Sequence, residues 1–133
     1  MKIILDTNVI IAAFATRGLC SAVFELCLDR FEVVLSEAIL KETFIHLNGK
    51  IKLPLAQCDA IVSYLRANCY VSEIDDPDAS VCRNKNDLHV LGLAQHSSAA
   101  YIITGDKDLL ELIQYKSTKI VTHREFWSVT KGK

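Results

Sequence analysis

The sequence predicts an α/β fold in which helices cover both faces of a parallel sheet of about four or five strands. Short β-branched and apolar runs, such as residues 2–5 and 32–35, alternate with longer segments whose apolar residues recur at helical spacing. Parallel neighbouring strands need crossover connections of about a dozen residues, and the intervening segments are long enough to supply them. We therefore expect a three-layer α/β/α architecture whose functional groups lie beyond the carboxyl ends of the strands.

The first half of the chain is predicted to alternate strand and helix. Its elements are a buried strand at 2–5, helices at 9–15 and 19–28, a strand at 32–35 and a helix at 37–47. Ser36 is placed to cap the last of these helices, and Arg17-Gly18 forms a natural break between the two before it.

The second half continues the alternation around one long polar stretch. Its elements are a helix from Pro54 to about 67, an extended segment at 70–74, a loop at 75–87, a helix at 87–96, a strand at 100–104, a short helix at 109–113, a strand at 119–121 and a closing helix at 123–129. Asn86 is expected to cap the helix that follows the loop, and Gly105-Asp106 to form a sharp turn.

Length and composition set the broad class of the protein. The 133 residues fit one compact domain spanning 1–133, and 50% of them are apolar, enough to build a core. No apolar run approaches the roughly 18 residues that cross a bilayer, and the first apolar run is too short for a signal peptide. We therefore expect a cytoplasmic protein with no membrane association.

The cysteine pattern argues against a disulfide framework or a zinc site, whereas the net charge neither proves nor excludes binding of RNA. The five cysteines are odd in number and none is spaced as C-x-x-C, so buried thiols are expected rather than disulfides or zinc ligands. The formal charge of −1 lacks the strong positive bias that often marks nucleic-acid binders. Basic residues could still form a rim that attracts phosphate, and the candidates are Arg17, Lys50, Lys52 and Arg83.

Acidic residues follow two of the predicted strands. Asp6 comes directly after the strand at 2–5, and Asp106 follows Thr104-Gly105, with Asp108 two residues later. Parallel neighbouring strands would bring Asp6 and Asp106 to one edge of the sheet. Asp87, in the first turn of a later helix, is not placed by spacing alone.

Glu42 has an unusual position for a carboxylate. On the helix at 37–47 its neighbours Ala38, Ile39 and Ile45 form a mostly apolar face. A charge on such a face needs a cation or strong hydrogen bonds to offset its desolvation. Glu42 is therefore a candidate functional residue, whereas Glu37 has an ordinary role near the helix N-terminus.

Each of these residues also has an ordinary structural interpretation. A single Asp at such a position is more often a helix cap or a turn residue than a metal ligand. The histidines show no metal-binding spacing and are interpreted as structural or surface residues; they are His46, His89, His96 and His123. Phe126 and Trp127 are expected to dock the last helix onto the sheet rather than to stack on RNA bases.

The chain also carries a family resemblance in four segments. They are Leu5-Asp6-Thr7-Asn8, Glu42 in the next long helix, Asn86-Asp87, and Y-I-I-T-G-D-K-D-L-L at 101–110. With these segments the chain resembles PIN-domain nucleases, especially the toxins of prokaryotic type II toxin-antitoxin pairs. The likeness spans nearly the whole chain and implies a PIN-like fold.

The resemblance implies a metal-dependent endoribonuclease. Asp6, Glu42, Asp87 and Asp106 would be the catalytic acids that hold Mg²⁺ or Mn²⁺, with Asp108 as an auxiliary ligand. Asn8 and Thr104 would orient ligands or waters by hydrogen bonds, as metal sites generally require. An RNA substrate, a small antitoxin and a homodimer are further implications of the same resemblance.

This chain departs from the family pattern at one position. Relatives often have an acid where Asn86 stands, so an alternate ligand is missing here. Asp75, Asp76 and Asp78 in the preceding loop could compensate, although a solvated loop is the simpler interpretation.

Three other functions are compatible with parts of the pattern. A haloacid-dehalogenase-like phosphatase also has an Asp after its first strand, but Asn8 cannot supply the proton that an acid would donate there. A receiver domain would show paired acids near the end of strand one and an acceptor Asp after a middle strand, and neither is present. A degenerate PIN fold would only bind RNA or a protein partner.

Overall fold

The computed structural model describes residues 1–131 and is built around one mostly parallel sheet. Its strands are β1 (Lys2–Leu5), β2 (Glu32–Leu35), β3 (Tyr70–Val71), β4 (Tyr101–Ile103), β5 (Gln114–Tyr115) and β6 (Thr118–Val121). They are ordered β3-β2-β1-β4-β6-β5, and the β5–β6 pair is the antiparallel one. The predicted α/β class is confirmed.

The sheet has one strand more than the four or five expected. The additional strand is β5, which pairs with β6 after a tight turn. Ile113 and Lys116 flank β5 with φ angles of 65° and 52°, which are values that favour Gly or Asn. Because neither residue is of a turn-forming type, the sequence carried no signal for this hairpin.

The helices flank the sheet and lie near their predicted positions. They are α1 (Thr7–Ala15), α2 (Leu19–Arg30), α3 (Glu37–Gly49), α4 (Leu55–Asn68), α5 (Leu88–Ser97), α6 (Lys107–Leu110) and α7 (His123–Lys131). Ser36 caps α3 as predicted, its hydroxyl accepting from the Ile39 backbone N–H at 3.2 Å.

Two local predictions were wrong. The short helix expected at 109–113 lies at Lys107–Leu110, because the Asp106 carboxylate caps it by accepting from the Asp108 N–H at 2.9 Å. Asn86 does not cap α5. Instead, Asn84 accepts from the Asn86 N–H at 3.0 Å and opens a 3-10 turn at Lys85–Asp87, from which α5 continues.

The core is centred on β1, whose Ile3, Ile4 and Leu5 side chains are fully buried. Phe126 of α7 is also fully buried and makes edge-on ring contacts with Phe31 and Tyr101. This contact docks the last helix as expected.

The cysteines are all free thiols. Cys27, Cys58 and Cys82 are buried, as predicted, while Cys20 and Cys69 are partly buried. Burial raises the pKa of Cys27 to about 12 and that of Cys69 to about 11, so both stay protonated at neutral pH.

No helix of the described chain is by itself long and apolar enough to cross a bilayer. Helices α1 and α2 together reach the required length and composition, but they are bent by 110° at their junction. Their apolar residues pack into the protein core, where Val9, Ile10, Val23 and Phe24 are buried.

The order of the strands creates a crevice between β1 and β4. The chain passes from β1 to β2 and β3 on one side, and then returns to place β4 on the other side of β1. Leu5 is in register with Ile103, and the Asp6 N–H donates to the Ile103 carbonyl at 3.0 Å. The carboxyl ends of β1 and β4 therefore flank the point where strand order reverses, the usual location of function in such sheets.

Candidate active site

Asp6 leaves the end of β1 and is held by two donors. The Thr7 backbone N–H donates to its Oδ1 at 2.8 Å, and the Thr104 hydroxyl donates to its Oδ2 at 2.7 Å. Burial raises the pKa of the Asp6 carboxyl, and Glu42 raises it further, while the bonds from Thr104 and Thr7 lower it. Asp6 is therefore a buried carboxyl whose charge is partly compensated by the chain itself.

Thr104 and Asn8 tie the two strand ends together. The Thr104 hydroxyl also accepts from the Asp106 backbone N–H at 3.0 Å, so it contacts both sides of the crevice. The Asn8 side-chain oxygen accepts from the Gly105 N–H at 3.1 Å. These two side chains fix the spacing between Asp6 and Asp106.

A compact group of three acids lies beside Asp6. Asp87, Asp106 and Asp108 each present a carboxylate oxygen, and the three oxygens lie within 4.8 Å of one another. Asp87 is buried, and Asp106 and Asp108 are partly buried. The structure thus places Asp87, which spacing alone could not, and gives Asp108 a position equal to that of the other two.

Asp87 has the most perturbed environment of the three. Burial, followed by the hydrogen bond and charge of the Asp106 carboxyl, raises the pKa of Asp87 to about 7 from its usual 3.8. Its Oδ2 atom is buried and has no hydrogen-bond partner in the described part of the chain. A buried carboxylate oxygen without a partner is costly unless a cation or donor reaches it.

The donor set of this group fits a hard divalent cation. All three side chains offer oxygen, which Mg²⁺ and Mn²⁺ prefer, and a cation would both satisfy Asp87 Oδ2 and neutralise the mutual repulsion. The arrangement can therefore hold a metal ion through carboxylates alone.

Glu42 approaches from α3 and lies outside the three-acid group. Its Oε1 accepts from the Thr7 hydroxyl at 2.9 Å and lies 3.2 Å from Nε2 of His89. The predicted apolar surroundings are only half correct, because Ile39 is buried but Ile45 is 54% exposed. Polar partners, rather than an apolar face, fix the carboxylate of Glu42.

Thr7 and His89 are site residues that the sequence interpretation did not identify. The His89 side chain, interpreted as structural or surface, is only 18% exposed and faces Glu42. Thr7 stands inside the D-T-N segment, which was a usable signal. Nothing in the sequence links His89 on α5 with Glu42 on α3, because only the tertiary fold brings these two side chains together.

The acids of the preceding loop do not join the site. Asp75 pairs with His96, with Oδ1 and Nδ1 3.0 Å apart, and Asp78 accepts from the N–H and hydroxyl of Ser80. Asp76 is exposed. None of the three belongs to the acidic group found among the described residues, so they do not compensate for Asn86.

Comparison with known sequences identifies the family. A sequence profile described as PIN domain matches residues 2–108, which include all five candidate acids. The chain belongs to the PIN-domain family. The phosphatase and receiver-domain alternatives therefore fall away, and the nuclease chemistry typical of PIN domains becomes the relevant chemistry for the acidic edge.

Two known proteins are similar to this chain. An uncharacterized protein of Methanocaldococcus jannaschii is 36% identical over 117 residues, covering 84% of this chain and 75% of that protein. Among solved structures, VapBC2 from Rickettsia felis, bound to a DNA fragment from its promoter, is similar with a TM-score of 0.64. That match covers 90% of this chain and 97% of the other at 14% identity, so it shows a common fold.

Proposed function

We propose that this PIN-domain protein is a divalent-metal-dependent endoribonuclease. The observation that carries the proposal is the buried, unpartnered Oδ2 of Asp87 within a group of three carboxylates at the crevice of the sheet. Such a site is costly for the metal-free chain and suits Mg²⁺ or Mn²⁺.

Five acids would hold the cation in this proposal. Asp6, Glu42, Asp87 and Asp106 are the principal ligands, and Asp108 lies close enough to share the role. When bound, Mg²⁺ or Mn²⁺ activates water and neutralises negative charge at the phosphodiester, so no protein nucleophile is needed.

The rest of the chain's contribution is positioning. Thr104 holds the Asp6 carboxylate and the Asp106 backbone, and Asn8 holds the Gly105 backbone. These bonds fix the two strand ends relative to each other before any substrate arrives. Preorganised ligands of this kind lower the cost of orienting a reaction.

The proposals of an RNA substrate and of a protein partner are based on similarity to PIN-domain toxins. The structural neighbour from Rickettsia felis is a VapBC complex bound to promoter DNA. By analogy we propose that a small antitoxin pairs with this chain, that the chain forms a homodimer, and that it acts in the cytoplasm. Arg83 is a candidate phosphate contact on the exposed surface, where it lies 3.4 Å from Glu111.

Cleavage of labelled single-stranded RNA tests the proposed activity. Wild type, Asp6→Asn and the exposed control Asp59→Asn are compared with Mg²⁺, Mn²⁺ or EDTA. We expect metal-dependent cleavage by wild type and the control, and a fall of more than roughly a hundredfold in Asp6→Asn, beyond the usual effect of outer-shell changes.

Two results would contradict the proposal. Equal activity in wild type and Asp6→Asn would show that the cleavage arises elsewhere. RNA binding without cleavage, under every metal condition, would instead indicate a degenerate PIN fold that acts as a binding module.

A further inference from the structure

The carboxylate of Glu42 is held through one of its two oxygens. The Thr7 hydroxyl donates to Oε1 at 2.9 Å, and Nε2 of His89 lies 3.2 Å from the same atom. In the described part of the chain no hydrogen bond reaches Oε2. Glu42 therefore has one oxygen occupied by the protein and one left free.

His89 is fixed so that only one of its ring nitrogens is available. Its side chain is 18% exposed, and its Nδ1 is buried without a partner among the described residues. Nε2 is thus the ring nitrogen that faces the Glu42 carboxylate, 3.2 Å from Oε1, and it can donate to that oxygen when it carries the proton.

The location of His89 connects two parts of the site. It stands two residues after Asp87 at the start of α5, whereas Glu42 belongs to α3. The side chain of His89 therefore links the start of α5, which follows Asp87, to Glu42 on α3.

We propose that His89 is a positioning residue that, together with Thr7, turns Glu42 so that its free Oε2 serves as a one-oxygen ligand for a divalent cation. This inference rests on the proposed metal-dependent function. Outer-shell partners of this kind fix the orientation of a ligand, and their loss usually weakens metal affinity by about 10- to 100-fold.

Mn²⁺ binding, followed by electron paramagnetic resonance of the free ion, measures this role without requiring catalysis. His89→Leu keeps a similar volume but removes the donor, and His89→Gln keeps an amide N–H near the position of Nε2. We expect Mn²⁺ affinity to fall about 10-fold or more in His89→Leu and to stay within about threefold of wild type in His89→Gln.

Two further variants separate positioning from packing. In His89→Asn the amide is polar like that of Gln but one methylene shorter, so it cannot reach Oε1. This variant should therefore bind Mn²⁺ as weakly as His89→Leu. It also takes the place of His89→Leu if that variant does not fold. His96→Leu removes a histidine of the same helix that pairs with Asp75, and it should leave Mn²⁺ affinity unchanged.

Glu42→Gln distinguishes failure of this inference from failure of the proposed function. If His89 acts by positioning Glu42, Mn²⁺ affinity should fall in Glu42→Gln and should fall no further in the Glu42→Gln/His89→Leu double variant. Unchanged affinity in Glu42→Gln would remove Glu42 from the proposed metal site. Two outcomes would overturn the role of His89 and leave Glu42 in the proposed metal site. One is reduced Mn²⁺ affinity in Glu42→Gln with wild-type affinity in His89→Leu, and the other is an equal loss of affinity in His89→Leu and His89→Gln.

Discussion

The acidic residues at the carboxyl edge of the sheet form two halves, one with Asp6 and Glu42 and the other with Asp87, Asp106 and Asp108. The two halves compensate their negative charge in different ways. In the Asp6 half, Thr104 and Thr7 donate directly to the carboxylate, and Thr7 also donates to Glu42. In the half formed by Asp87, Asp106 and Asp108, the carboxylates face one another and Asp87 Oδ2 has no partner within the described residues.

This difference shows which charges the chain stabilises and which it leaves to a ligand. Burial raises the pKa of Asp6, and the hydrogen bonds from Thr104 and Thr7 to its ionised form oppose that rise. Among the described residues no such donor opposes the rise at Asp87, whose pKa is raised to about 7 by burial and by the neighbouring carboxylates. We infer that the chain itself holds the carboxylates of the first half, whereas the ionised second half is left for the cation of the proposed function.

The largest expected effect is on the stability of the metal-free protein through Asp87. Its pKa of about 7 in the folded state exceeds the ordinary 3.8, so folding disfavours the ionised form. The contribution of Asp87 to the free energy of unfolding should therefore be most favourable below the lower value, fall as the pH rises between the two, and level off above about 7.

Denaturant unfolding of metal-free wild type and Asp87→Asn measures this effect. Asp87→Asn should lack the part of this loss of stability that Asp87 causes, and it should be more stable than wild type at neutral pH and above by on the order of 3 kcal/mol. The control Asp59→Asn should follow wild type. Parallel curves for wild type and Asp87→Asn would show that burial of Asp87 carries no such cost.

A smaller effect is expected from Thr104, the side chain that contacts both halves. Its hydroxyl donates to Asp6 and accepts from the Asp106 N–H, so Thr104→Val removes two bonds at nearly constant volume. We expect a loss of about 2 kcal/mol in the free energy of unfolding, because one bond involves a charged group. Thr104→Ser, which keeps the hydroxyl, should lose much less, and equal losses in both variants would point to packing instead.

The smallest effect is expected from Asn8, whose bond to the Gly105 N–H lies at the exposed rim of the crevice. Asn8→Ala should lower the free energy of unfolding by about 1 kcal/mol or less, the usual value of a single neutral hydrogen bond. A loss in Asn8→Ala as large as that in Thr104→Val would mean that the rim bond, and not Thr104, holds the two halves together.

The sequence predicted the parts of the site that depend on strand order. Leu5-Asp6 and Thr104-Gly105-Asp106 end two apolar runs, and parallel pairing of β1 with β4 brings their acids to one edge. Asp87 was different, since its place depends on the 3-10 turn opened by Asn84 and not on any periodic pattern.

Two kinds of feature could not be predicted from the sequence: contacts between helices that are distant along the chain, and unusual backbone angles. His89 reaches Glu42 only because α3 and α5 approach each other in the folded chain. Strand β5 depends on positive φ angles at Ile113 and Lys116, which are not residue types that favour them. Local propensity therefore could not indicate either feature. The buried strands β1 and β4, by contrast, were predictable from their short apolar and β-branched runs.

Proton release on cation binding is the most direct test of the difference between the two halves. Calorimetric titration of Mn²⁺ into wild type, in two buffers of different ionisation enthalpy, gives the number of protons released at pH 6 and at pH 8.5. With the pKa of Asp87 at about 7, Asp87 should release close to one proton per bound ion at pH 6 and almost none at pH 8.5, so the total release should be larger at pH 6. Equal release at both pH values, or no Mn²⁺ binding at either, would contradict the conclusion that the three-acid half is completed by a cation.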